Sequence, residues 1–137
     1  MGIDMIKILD GIRETVDYDL FSSIKLYHNM QAEDYPLHWH TAMEIIMPIQ
    51  DEYTVVIDET SHTFDPNDIF IIPPGTLHHL IAPPRTNTGE RLIMLFDYGL
   101  ICSLNGTDSL IQSLHPYALI KHDEYPELSA KLCSYLN

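Results

Sequence analysis

Between Ser23 and Asp97 the apolar residues come in short bursts separated by turn-forming residues, and they do not recur at helical spacing. Runs rich in Ile, Val, Tyr, Phe and Thr cover residues 24–30, 42–49, 53–57, 61–64, 68–72, 77–81 and 91–96. Asp58-Glu59, Asp65-Pro66-Asn67, Pro73-Pro74-Gly75 and Pro83-Pro84 punctuate them. Short strands at such intervals predict an antiparallel sandwich or barrel. The 91–96 run is apolar on both faces, with Leu92, Met94 and Phe96 on one and Ile93 and Leu95 on the other. One face therefore lines an interior and the other needs a cover. The C-terminus offers one: Pro126 is placed as a helix N1 residue after Asp123-Glu124, and Leu128, Leu132 and Leu136 follow on one face. Residues 1–20 show no clean period and read as an arm with a short strand. The pattern divides the chain into a β unit with its arm, residues 1–97, and a helical tail, residues 98–137. The tail stops at Asn137 without a capping glycine, as a helix cut short would.

Size and charge narrow the function. At 137 residues and 15.7 kDa the chain has the length of one domain with a single core. Seven basic against twenty acidic residues give a net charge of −13. Such a chain repels phosphate backbones and anionic membrane surfaces, so direct contact with nucleic acid is not expected. Its apolar runs fall far short of the roughly 20 residues a membrane helix needs. Asp4, Lys7 and Asp10 interrupt any apolar signal sequence, and Cys102 and Cys133 form no close-spaced motif. A soluble, cytoplasmic protein with reduced thiols is the expectation.

The chemistry concentrates in His38-Trp39-His40-Thr41-Ala42-Met43-Glu44. On an extended strand alternate residues share a face, so His38, His40 and Glu44 point one way with only Ala42 between them. Trp39, Thr41 and Met43 point the other way. A further polar group comes from Pro73-Pro74-Gly75-Thr76-Leu77-His78-His79, where one of the two adjacent histidines, at most, faces inward. Three imidazoles and a carboxylate suit Zn, Fe, Mn or Ni as divalent ions. The rival reading is a polar pocket that hydrogen-bonds an organic ligand directly. Trp39 and His28, the latter on the preceding strand, are candidate ligand-contacting residues. His62, His115 and His122 read as surface or capping residues. No Ser-His-Asp order, CxxC pair, glycine-rich phosphate loop or basic stripe is present.

His38-x-His40-x-x-x-Glu44 resembles the first motif of the cupin superfamily, and Asn67-Asp68 through Pro73-x-Gly75-x-x-His78 resembles its second. The resemblance implies an all-β, cupin-type double-stranded β-helix (jelly-roll) barrel with C-terminal helices, and His38, His40, Glu44 and His78 as metal ligands. Within cupins the sequence is most similar to the N-terminal sensor domain of AraC-family transcriptional regulators. That implies a small-molecule effector such as a sugar inside the barrel and a homodimer formed through the helical tail. It also implies DNA binding by a separate C-terminal helix-turn-helix domain. The alternative is a free-standing metal-dependent cupin enzyme, a dioxygenase or isomerase. The sequence departs from the family at Ala32, Asp51 and Asn67, where glycines are usual, and at Ala82, where asparagine is.

Overall fold

The computed structural model describes residues 8–18, 23–30, 34–81, 89–104 and 106–134. In chain order the strands are β1 (Ile8–Asp10), β2 (Arg13–Thr15), β3 (Ile24–Asn29), β4 (Tyr35–His38), β5 (Met43–Pro48), β6 (Tyr53–Ile57), β7 (Thr60–Phe64), β8 (Ile69–Ile72), β9 (His78–Ile81) and β10 (Arg91–Phe96). Helices α1 (Tyr98–Cys102) and α2 (Thr107–Leu114), strand β11 (Ala118–Ile120) and helix α3 (Pro126–Cys133) follow. One antiparallel sheet has the order β11-β8-β5-β10-β3, a second the order β4-β9-β6-β7, and β1-β2 form a separate hairpin. The chain is thus mainly β, two sheets with C-terminal helices, as the burst-and-turn pattern predicts.

Strand parity builds the core. In β3, β10 and β5, the register aligns Tyr27 with Ile93 and Ile93 with Ile46, and Phe70 of β8 aligns with Ile46. These side chains meet Val55, Leu80 and Phe64 of the smaller sheet in one buried cluster. The opposite parity, Met47, Ile69 and Leu92, faces outward and is covered in part by Leu132 and Cys133 of α3. Both faces of β10 are therefore buried for different reasons, one by the other sheet and one by the tail.

Turn chemistry matches the residues available. Asp58, Glu59 and Asn67 hold positive φ (52°, 62° and 71°) at the ends of strands. Asn tolerates that left-handed conformation better than most residues, which explains how the turn survives without glycine.

Several elements differ from expectation. The arm contains a two-stranded hairpin, not one strand. Residues 35–38 form β4, which lacks the apolar burst of the other strands because two of its four positions are Pro36 and His38. The tail is not only helical: β11 adds to the edge of the larger sheet by pairing Leu119 with Phe70. Helix α3 starts at Pro126 as predicted, but its packed face is Ser129, Leu132 and Cys133, while Leu128 is exposed. Leu136, Ala32, Ala82 and the Pro83-Pro84 turn lie outside the described residues.

Candidate metal centre

His38, His40, Glu44 and His78 converge. One potential ligand atom from each lies within 4.8 Å of all the others, and all four residues are buried. The convergence arises differently from the single-strand picture. His38 ends β4 in the smaller sheet and Glu44 lies on β5 in the larger one, with a bend at residues 41–42 between them. The chain crosses between sheets here, so the histidines and the carboxylate approach from opposite walls. His78 enters from β9, directly opposite His38 in the ladder. Gly75, with φ of 76°, turns the chain ahead of β9, and its N–H donates to the His40 carbonyl at 2.8 Å. His78 points in and the adjacent His79 points to the outer face, as alternation requires.

The imidazoles share one orientation. Nδ1 of His38 lies 2.7 Å from the Pro36 carbonyl, Nδ1 of His40 3.0 Å from that of Ala42, and Nδ1 of His78 2.7 Å from that of Thr76. A carbonyl only accepts, so each Nδ1 carries a proton and donates it. In the neutral ring, Nε2 is then a bare lone pair facing inward. Yet Nε2 of His40 and of His78 stand 2.9 and 3.1 Å from the same oxygen of Glu44, Oε2. Three lone-pair atoms at that spacing repel unless protons or a cation lie between them. Two donors each about 2.1 Å from one ion, bonded at right angles, sit about 3 Å apart. The second Glu44 oxygen, Oε1, is buried with no hydrogen-bond partner among the described residues. The donor set therefore fits a divalent transition metal, and backbone carbonyls hold its histidines by their outer nitrogens as orienting partners do.

Protons are the other way to relieve the cluster. Burial by itself would raise the Glu44 pKa, but the hydrogen bonds and charges of His40 and His78 hold it well below the usual carboxylate range. Burial by itself would lower the His40 pKa, but Glu44 outweighs it and holds the imidazole above its ordinary value. Both shifts say that this pocket stabilises positive charge next to Glu44.

Two further residues join the site without any signal in the sequence. Glu14 of β2 is buried, and its Oε1 lies 3.8 Å from His38 Nε2. Tyr35 of β4 donates its hydroxyl proton to the same oxygen at 2.7 Å and packs edge-on against the His38 ring. Burial, then the hydrogen bond to Glu14, push the Tyr35 phenol far above its ordinary pKa, so it stays protonated. An isolated acid in a mixed-charge arm could not be linked to the histidines from spacing alone.

Two of the expected ligand contacts do not reach the site. Trp39 lies on the opposite parity to His38 and His40, and the Arg13 guanidinium covers its ring at 5.5 Å. His28 projects from the outer face of β3, since Tyr27 and Asn29 take the inward positions, and its ring bonds Glu90 at 2.8 Å. His122 is a surface residue, one of the two readings expected, and its N–H and ring both bond the buried Asp68. A cleft of about 480 Å³ lies elsewhere, on the outer face of the smaller sheet, lined by Leu37, Val56, Asp58, Glu59, Leu77 and His79.

No protein-family profile matches this chain, and no curated protein does. Among solved structures it is similar to a cupin 2 conserved barrel domain protein from Salinispora arenicola, with 17% identity and a TM-score of 0.43. That alignment covers 69% of this chain and 74% of the other. It is also similar to a cupin-2 domain from Rhodospirillum rubrum, with 13% identity and a TM-score of 0.42, over 72% of this chain and 76% of the other.

Proposed function

We propose that this chain is the sensor domain of an AraC-type transcriptional regulator, with a divalent transition metal held by His38, His40, Glu44 and His78. The effector, a small polar molecule such as a sugar, is recognised at that centre. The observation that carries the site is the pairing of inward imidazole lone pairs with a Glu44 oxygen at 2.9 and 3.1 Å. A bound ion supplies Lewis-acid character there and a point of attachment for oxygen ligands. The chain's own part is to orient the rings through Nδ1 and to keep Glu44 ionised.

The regulator reading draws support from the tail. It is fastened to the same sheet that carries Glu44, through β11, and it leaves Leu110 and Leu128 exposed on its helices and Tyr125 exposed just before α3. Such side chains suit burial against a second copy, in keeping with a homodimer. Effector binding would act by favouring one arrangement of this tail, so that a separate domain presents to DNA differently. The second reading, a metal-dependent dioxygenase or isomerase, is supported by the completeness of the three-histidine, one-glutamate set.

Two measurements test these readings. Elemental analysis of the chelator-free protein should return about one divalent ion per chain; a protein that neither carries nor takes up an ion overturns the metal centre. The intact mass of the endogenous protein should be about 30 kDa, which accommodates a further domain of ordinary size. A mass of 15.7 kDa would overturn the regulator reading and leave the enzyme reading to be tested by turnover.

A further inference from the structure

We propose that the cleft on the outer face of the smaller sheet is a second small-molecule site, and that it takes an organic cation with an apolar body, such as a hydrophobic primary amine. This site is independent of the metal centre and of the regulator reading.

Strand parity builds the floor. Leu37 precedes His38 and Leu77 precedes His78, so alternation turns both leucines away from the interior that the two histidines face. Val56 of β6 pairs with His79 of β9, and that pair shares the outer side. Leu37 and Leu77 are 45% and 39% exposed, whereas Val56 is 8% exposed and so forms the bottom. The cleft holds about 480 Å³, within the range of about 300 to 1,000 Å³ that small-molecule sites occupy.

A tight turn supplies the charge. Ile57 pairs with Thr60, so Asp58 and Glu59 are the whole of a two-residue hairpin loop, and both hold positive φ (52° and 62°). So short a loop fixes where the two carboxylates leave the backbone. Both residues line the cleft, and no lysine or arginine does among the described residues. Neither carboxylate bonds a described residue; it is the Asp58 carbonyl that accepts the Thr60 hydroxyl, at 3.4 Å.

Floor and charge together select the occupant. An anion is repelled by the two carboxylates and by the net charge of −13. A neutral apolar molecule leaves the carboxylates unmatched. A bare metal ion gains nothing from the leucines, and the ligand atoms close enough to share one ion, among the described residues, belong to His38, His40, Glu44 and His78. An amine with an apolar body meets both demands: the floor buries the body and the carboxylates accept from the ammonium. Because Asp58 and Glu59 are exposed, the charge contributes selectivity more than affinity.

The test is titration of the ¹⁵N-labelled protein with 2-phenylethylamine and with 2-phenylethanol, which share a body and differ in charge, followed by amide shifts. The amine should move the signals of Leu37, Val56, Leu77 and His79 and bind about 3- to 10-fold more tightly than the alcohol. Added salt should shrink that preference. Asp58→Asn combined with Glu59→Gln should remove it and leave alcohol binding unchanged; Asn adopts the left-handed conformation readily, so the turn is kept. Glu59→Gln alone should halve the preference or more, and it carries the comparison if the double variant does not fold. Leu77→Ala should weaken both probes alike. Equal affinity for the two probes, a preference that survives the double variant, or no shift at these four residues overturns the assignment. Shifts confined to residues 43–48, the strand that carries Glu44, would place the amine at the metal centre and overturn it as well.

Discussion

At the scale of single residues, local backbone geometry and side-chain parity account for most of what the site needs. His78 and His79 are neighbours with opposite fates, one inside the cluster and one outside, because a strand alternates. Asn67 shows a different residue-level constraint. It holds φ of 71°, its carbonyl accepts the Ser129 hydroxyl, and its side-chain oxygen accepts the Cys133 thiol at 3.7 Å. Asn67→Ala should lower stability by about 1 kcal/mol or more in urea denaturation, from left-handed strain and the lost tail contact. Asn67→Gly relieves the strain and should cost less. Equal losses in the two variants would mean that the tail contact, not the backbone, sets the cost.

At the scale of elements, the tail is tied to the β core by one carboxylate and a stack of rings. Asp68, just before β8, is fully buried and accepts bonds from the Asp65 N–H, the Lys121 ammonium and both the N–H and ring of His122. Burial alone would raise its pKa; these donors outweigh that and hold it at about 2, below its ordinary 3.8. A depressed carboxylate stabilises the fold fully above its unfolded pKa and loses that contribution as pH falls through the folded value. Asp68 should therefore add about 2 kcal/mol at neutral pH, lost between about pH 4 and pH 2. Asp68→Asn should lower stability at pH 7 by about that amount and flatten the acid limb of the stability–pH curve. An unaltered acid limb would remove Asp68 from the account. The rings add to the tie: Phe70 stacks on Phe64 at 4.9 Å and on Tyr117, at the start of β11, at 5.2 Å. Asp68 was legible only as part of a resemblance, since its partners are Lys121 and His122, more than fifty residues away.

At the scale of the whole molecule, charge and metal binding set the expected behaviour. With −13 overall, the isolated chain should produce no anisotropy change with a labelled DNA duplex even at low salt, where phosphate attraction is strongest. Binding that weakens with added salt would contradict that. Metal binds the folded state alone in the proposed reading, so an ion at 100 times its dissociation constant adds about 2.7 kcal/mol. For a chain of this length the melting temperature should rise by about 10 °C on adding the ion and fall back with a chelator. His78→Ala should abolish that rise while leaving a cooperative melt. A full shift in the variant would exclude His78 from the centre. No helix among the described residues is long and apolar enough to span a membrane.

Local pattern alone determined the strand bursts, the turns at Asp58-Glu59 and Asn67, the Pro126 helix start and the shared inward face of His38 and His40, whereas the choice of His78 over His79 came from the family resemblance. Each depends on a residue's own conformational preference or on a two-residue period, both written in adjacent positions. Only the tertiary structure decided that the chain changes sheets between His40 and Glu44, that β11 joins the larger sheet, and that α3 buries Ser129 in place of Leu128. It alone also sent His28 outward and brought Glu14 and Tyr35 inward, whereas the outward side of Trp39 follows from strand alternation. Those outcomes depend on which strand becomes whose neighbour. Long-range pairing of that kind is a property of the packed whole, and an isolated Glu14 carries no trace of it.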